Sequence, residues 1–202
     1  MQEALKEIKY GPSETGVAEI ILERWSPRAF SDQEVSKDDL IKIFIASSWA
    51  ASSYNEQPWR FLVGRKGTET YGNIFSCLNE HNQTWAKRAP VLFLSVARAN
   101  FTLNDQPNAF ALHDAGAASA TLALQAAVLD LCVHGMAGFD QEKARNLFQI
   151  PPNFLMGAVW ALGYLGDPGL LPATLQAEER GGRKRKSLRE FVFAAWDQPA
   201  DL

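Results

Sequence analysis

Apolar positions along the 202-residue chain switch between helical and strand periods. Val17, Ile20, Ile21 and Arg24 lie on a helical period, with Ser13 or Thr15 placed as cap, and Pro27 ends that helix near Trp25. Ser36-Lys37-Asp38-Asp39 has the form of a capping box with a shorter carboxylate. Leu40, Ile43, Phe44, Ser47 and Ser48 follow it, predicting a helix to about Ala51. Arg60 to Arg65 reads as a strand around Phe61-Leu62-Val63, and Thr68 to Leu78 as a modestly amphipathic helix. Asn79 to Arg88 is polar around Trp85 and reads as a mobile segment.

Pro90 to Arg98 is apolar on both faces, the pattern of a central strand. Residues 110–131 predict the longest helix, small and Ala-rich nearly all round, hence buried and suited to close helix contact. A short strand is predicted over Val133 to Ala137, a helix capped by Asp140 to about Phe148, and a buried strand over Leu155 to Leu165. Residues 1–14 read as a polar extension and 167–202 as an extended tail without a long helical face. No repeat or second boundary is visible, so residues 1–202 form one domain. Helices alternating with a few central strands predict a helix–sheet–helix sandwich, with connections too irregular for a doubly wound parallel sheet.

Composition narrows the function classes. The 47% hydrophobic and 21% charged residues are those of a globular protein. A net charge of −3 gives no general attraction to nucleic acid or acidic membranes. The richest apolar segment, Ala109 to Val133, is interrupted by His113, Asp114, Gln125 and Asp130, so no membrane span is predicted. Met1 to Tyr10 lacks a signal-peptide core, which sets a cytoplasmic expectation. Cys77 and Cys132 form no metal or redox motif, and His81, His113 and His134 lack ligand spacing. Neither a phosphate-binding Gly-rich loop nor a Gly-x-Ser-x-Gly elbow occurs.

Four stretches carry candidate chemistry. Arg24, Ser26 and Arg28 alternate on one short segment, so extended backbone would present two guanidiniums and a hydroxyl together. Ser52 to Phe61 joins amides and hydroxyls to Pro58, which fixes its own backbone and pushes Gln57 out of helical geometry. Gly135 to Asp140 is a strand end whose small residues admit close approach of a ligand. Arg183-Lys184-Arg185-Lys186 is either a solvated linker or, folded back towards Arg24, half of an anion clamp.

Together these stretches resemble the nitroreductase family of flavoproteins. Arg24-Trp25-Ser26-Pro27-Arg28-Ala29-Phe30 is similar to its Arg-x-Ser-x-Arg-x-Phe opening, and Ser52 to Phe61 to its Asn-x-Gln-Pro-Trp-x-Phe segment. Asp114-x-Gly116, Gly135 to Asp140, and Arg185 to Val192 match its middle and closing motifs in order. Ala137-Gly138 stands where many members have Glu-Gly, and Ser187 where they have Pro.

The resemblance implies an α+β fold with a central mixed sheet flanked by helices, and an obligate homodimer holding FMN in two interface clefts. By motif position, Arg24 and Ser26 would lie on the phosphate and ribityl side, Trp25 would also contact the cofactor, and Arg28 would lie near the N1–O2 edge. Asn55 would read the pyrimidine edge, with Ser52, Ser53 and Gln57 contributed by either chain. The backbone of Met136, Ala137 and Gly138 would face the ring near N5, and Arg183 and Arg185 would complete the phosphate site. The implied chemistry is ping-pong hydride transfer from NAD(P)H to a nitroaromatic, quinone or enone, with no side chain required as acid or base. Trp85 and Phe101 are candidates to stack on a planar substrate. A flavin-storing or redox-sensing protein without turnover is the alternative.

Overall fold

A computed structural model describes residues 2–12 and 16–202. Its central sheet has four strands: β1 (Trp59–Arg65), β2 (Val91–Arg98), β3 (Leu131–Met136) and β4 (Phe154–Tyr164). They lie in the order β1-β2-β4-β3, and every neighbouring pair is antiparallel. The mixed sheet expected from the resemblance is therefore corrected to an antiparallel one among the described residues. The helices α4 (Glu69–Cys77) and α5 (Glu80–Ala86) explain this for β1 and β2. They make an excursion that returns the chain to the end of the sheet it left, so Arg65 pairs with Val91. A parallel partner would instead need a crossover to the opposite end.

Helices cover both faces. On one side α4, α5, α7 (Gln141–Leu147) and α8 (Ala173–Arg180) pack Ile74, Trp85, Ala144 and Leu175 over Leu92, Leu94 and Val96. On the other, α3 (Lys37–Ser48) and α6 (Ala111–Val128) pack Ile43, Leu122 and Ala126 over Val91, Phe93 and Leu162. Alternate residues of β2 thus feed opposite cores, and all but its last residue are buried. Each buried Leu, Ile or Phe contributes roughly 1.5–3 kcal/mol, so this strand anchors both layers.

Local signals behave as the sequence predicts at several ends. Ser36 caps α3, its hydroxyl accepting from Asp39 N at 3.0 Å and donating to Asp39 Oδ2 at 2.7 Å. Asp140 caps α7 by accepting from Lys143 N at 2.9 Å. The helix α2 (Glu19–Glu23) stops before Pro27; Ala18 occupies its N-cap position, and the proposed caps Ser13 and Thr15 lie outside the described residues.

Three segments depart from expectation. The N-terminal extension contains a helix, α1 (Gln2–Lys9), which buries Leu5 and sets Lys9 over the Trp25 ring at 4.5 Å. Residues 79–88 are not a loose segment: Asn79 caps α5 by accepting from Asn82 N at 2.9 Å, and Trp85 is buried. The tail forms α8 and a hairpin of β5 (Phe193–Ala195) and β6 (Gln198–Pro199). Helix α8 escaped the periodicity because only Leu175 and Glu179 face inward, and one is charged.

Candidate functional site

Residues 27–31 are joined to the end of β4 and to His134 of β3. Tyr164 O accepts from Ser31 N at 2.9 Å, and Gly166 N donates to Ala29 O at 2.8 Å. The Nδ1 of His134 on β3 lies 2.9 Å from Pro27 O. A carbonyl only accepts, so Nδ1 carries the hydrogen. Burial pushes the His134 imidazole below its ordinary value, and the nearby Arg28 charge adds to this. The ring is held neutral.

Arg24 and Ser26 meet, with Nη1 donating to Oγ at 3.3 Å. Arg183 reaches back from the tail, donating Nη1 to Arg24 O at 2.7 Å and Nη2 to Leu22 O. Burial lowers the Arg24 guanidinium, and the neighbouring Arg185 charge lowers it further. Burial likewise lowers Arg183, followed by the charges of Arg185 and Arg24. Three guanidiniums are thus gathered at one place, and among the described residues none has a carboxylate partner. The Nε of Arg183 is buried without any partner. This arginine cradle has the local positive charge that would attract an anion.

Arg28 is placed differently. Its main-chain N donates to both carboxylate oxygens of Glu179, at 2.9 and 3.1 Å, and Ala29 N donates to the same side chain at 2.9 Å. Its guanidinium pairs with Glu178 at 3.1 Å. Trp25 turns towards α1 through its contact with Lys9. Beside Arg24 and Trp25 lies a cavity of about 440 Å³, bounded also by Lys6, Tyr10, Ala127 and Cys132. Burial pushes the Cys132 thiol up to about 12, leaving it protonated and inert near neutrality.

The strand end Met136–Gly138 is pinned by residues that the sequence did not single out. Gly138 O accepts from Asn79 N at 3.0 Å and from Asn82 Nδ2 at 3.1 Å. A side chain at 138 would press on the amides of Asn79 and Asn82, which would have to shift. The Met136 side chain is buried in the core, so only its backbone is available to a ligand. The spacing Asn79-x-x-Asn82, a helix-start signature, was the signal for these two amides.

Ser52, Ser53, Asn55 and Gln57 share one loop. Ser52 Oγ accepts from Gln57 N at 3.1 Å, and Gln57 Nε2 donates to Asn55 Oδ1 at 3.2 Å. Pro58 keeps Gln57 out of the right-handed helical region, but φ is 51°, left-handed rather than extended. Tyr54 and Asn55 are left-handed too, at 52° and 54°, so the loop stores strain that its hydrogen bonds must hold.

This loop and Met136–Gly138 leave the same end of the sheet, at opposite edges. β2 and β4 separate them, which at about 4.8 Å per strand step amounts to about 14 Å. The chain therefore brings Arg24, Ser26, Arg183 and Arg185 together along one edge and keeps residues 52–57 apart from them. The substrate-stacking expectation fails for Trp85, which sits in the core 4.6 Å from the His134 ring centre. Phe101 packs edge-on against Tyr54 at 5.6 Å. Among the described residues there is no metal-binding cluster, and no helix is long and apolar enough to cross a membrane.

The antiparallel sheet lies between two helical layers, and the three arginines gather at its edge. The nitroreductase family profile matches residues 21–164, more than half of the chain. The chain belongs to the nitroreductase family. A solved oxidoreductase containing FMN is 37% identical, with a TM-score of 0.85 over 91% of this chain and 93% of that one. An uncharacterized 15.4 kDa protein of Mycolicibacterium smegmatis is 33% identical over 69% of this chain and 99% of its own length. A protein of Archaeoglobus fulgidus named as an NADH dehydrogenase/NAD(P)H nitroreductase is 29% identical over 73% of this chain and 84% of its own.

Proposed function

We propose that the chain is an FMN-dependent oxidoreductase that takes reducing equivalents from NAD(P)H and delivers them to a small electrophilic acceptor. The arginine cradle carries this reading: Arg24, Arg183 and Arg185 converge without a carboxylate, and Arg183 Nε is orphaned. A phosphate monoester supplies the missing charge and acceptors. β3 then offers a track from the cradle to Met136–Gly138, with Cys132 and Met136 roughly 13 Å apart at 3.3 Å per residue. A ribityl phosphate could follow that track, leaving the ring beside Ala137, Gly138, Asn79 and Asn82. Bound FMN would supply a two-electron relay between NAD(P)H and the acceptor.

The protein's own contribution is placement and charge. Arg24 and Arg183 would bind phosphate, Ser26 the ribityl chain, and Arg28 the pyrimidine edge. Asn55 has a free Nδ2 among the described residues, suited to reading a carbonyl on the ring. Because residues 52–57 lie across the sheet, a second copy of the chain would bring them to the cleft. The apolar residues Ile41 and Ile45 on α3, Trp49 just beyond its end, and Leu112 and Val128 on α6 are exposed on two helices that pack side by side. That surface supports a homodimer.

The test is anaerobic. The purified protein should carry a yellow flavin chromophore that bleaches on addition of NADH or NADPH and recovers with a quinone or nitroaromatic. Colour that survives both nicotinamides would favour a storage or sensing role, and failure to take up FMN would reject the reading.

A further inference from the structure

We propose that Glu178 and Glu179, adjacent near the end of α8, set how strongly Arg28 acts on the bound flavin. Glu179 does so by fixing the arginine's main chain, and Glu178 by competing for its guanidinium. The proposal rests on the flavin reading above.

Glu179 is a carboxylate almost fully withdrawn from solvent. Both its oxygens accept from Arg28 N, and one also accepts from Ala29 N, bonds that bridge some 150 residues of sequence. Charge-assisted bonds to main-chain N–H groups are strong, and a buried carboxylate robbed of them is costly. The backbone of Arg28 is thereby set by α8 and not by its own loop. Four residues on, Arg183 seizes the carbonyls of Leu22 and Arg24. One short stretch thus grips the 22–29 segment at both ends.

Glu178 is about 100° further round the helix and has the opposite character. Its side chain is 62% exposed, while that of Arg28 is 27% exposed. An ion pair with one partner this solvated is weak and exchanges easily. The cations around it are Arg28 and the Lys9 ammonium, which donates to Glu178 O at 3.4 Å. Paired to Glu178, the Arg28 guanidinium presents little net charge; released, it presents a full one. Uptake of a hydride adds one negative charge to a flavin, and a cation at its pyrimidine edge favours that form. Competition by Glu178 therefore holds the reduction potential down.

The experiment compares FMN-loaded wild-type protein with Glu178→Gln, Glu178→Asp, Glu179→Gln and, as a distant control, Glu142→Gln on α7. FMN dissociation constants, midpoint potentials by dye equilibration and melting temperatures are measured for each. Glu178→Gln should shift the potential to more positive values with little change in melting temperature. Glu178→Asp should return it towards wild type, and Glu142→Gln should leave it unmoved. Glu179→Gln should weaken FMN binding about tenfold, the factor that about 1.4 kcal/mol of lost positioning represents. A Glu178→Gln protein whose potential is unmoved or more negative overturns the role of Glu178. Unchanged FMN affinity in Glu179→Gln overturns that of Glu179. A wild-type protein that takes up no FMN would instead overturn the flavin reading itself.

Discussion

Asp114 on α6 accepts the main-chain N–H of Ser53 at 2.9 Å, joining the longest helix to the loop that precedes β1. Its carboxylate is buried and also lies 3.1 Å from His113 Nδ1. Helix and loop are 61 residues apart in sequence, so this bond is one of the few fixing the strained 52–57 turn from outside.

Asp114→Ala leaves the Ser53 donor without its charged partner. It should cost about 2 kcal/mol in denaturant-induced unfolding. Asp114→Asn keeps an acceptor oxygen and should fall between the variant and wild type. Equal stability of all three proteins would show that the loop is held by its own contacts.

Stability should fall in mild acid through His134. Its folded pKa is depressed by burial, whereas the unfolded imidazole titrates near about 6.5. The unfolded chain therefore binds more protons as the pH falls past that value, and stability declines with it. Above it the term vanishes. Melting temperature measured from pH 7.5 to pH 5 should drop less for His134→Gln than for wild type, and parallel curves would contradict the assignment.

Trp85 is a core residue, not a substrate platform. Trp85→Ala should cost about 3–5 kcal/mol, the range for emptying a large buried aromatic site. Trp85→Phe should cost much less, because it fills most of the space and removes an indole N–H that has no partner. If Trp85 stacked on substrate, both variants would raise KM while leaving the melting temperature in place.

How much of this was readable from the sequence depends on the range of the interactions. Capping by Ser36 and Asp140, the arrest of α2 before Pro27 and the central place of β2 are local or compositional, and each is visible in a few residues. The antiparallel order of the sheet was not, because strand direction depends on how α4 and α5 return the chain. Helix α8 was hidden because its inward face includes Glu179, whose burial makes sense only beside the N–H groups of Arg28 and Ala29. Alternation of Arg24 and Ser26 and the basic tail suggested an anion site, and the fold does bring Arg183 to Arg24. Asn79 and Asn82 were overlooked because a polar stretch around one Trp looks mobile until Trp85 is seen inside the core.

In the proposed function, the arginine cradle holds the phosphate of FMN. This is tested most directly by titrating flavin-free protein with FMN and with riboflavin, which differ by that phosphate alone, in wild type and in Arg183→Ala. Wild type should prefer FMN at least about tenfold, a difference of about 1.4 kcal/mol, and Arg183→Ala should lose most of that preference. Equal affinity for the two flavins in wild type would contradict the account.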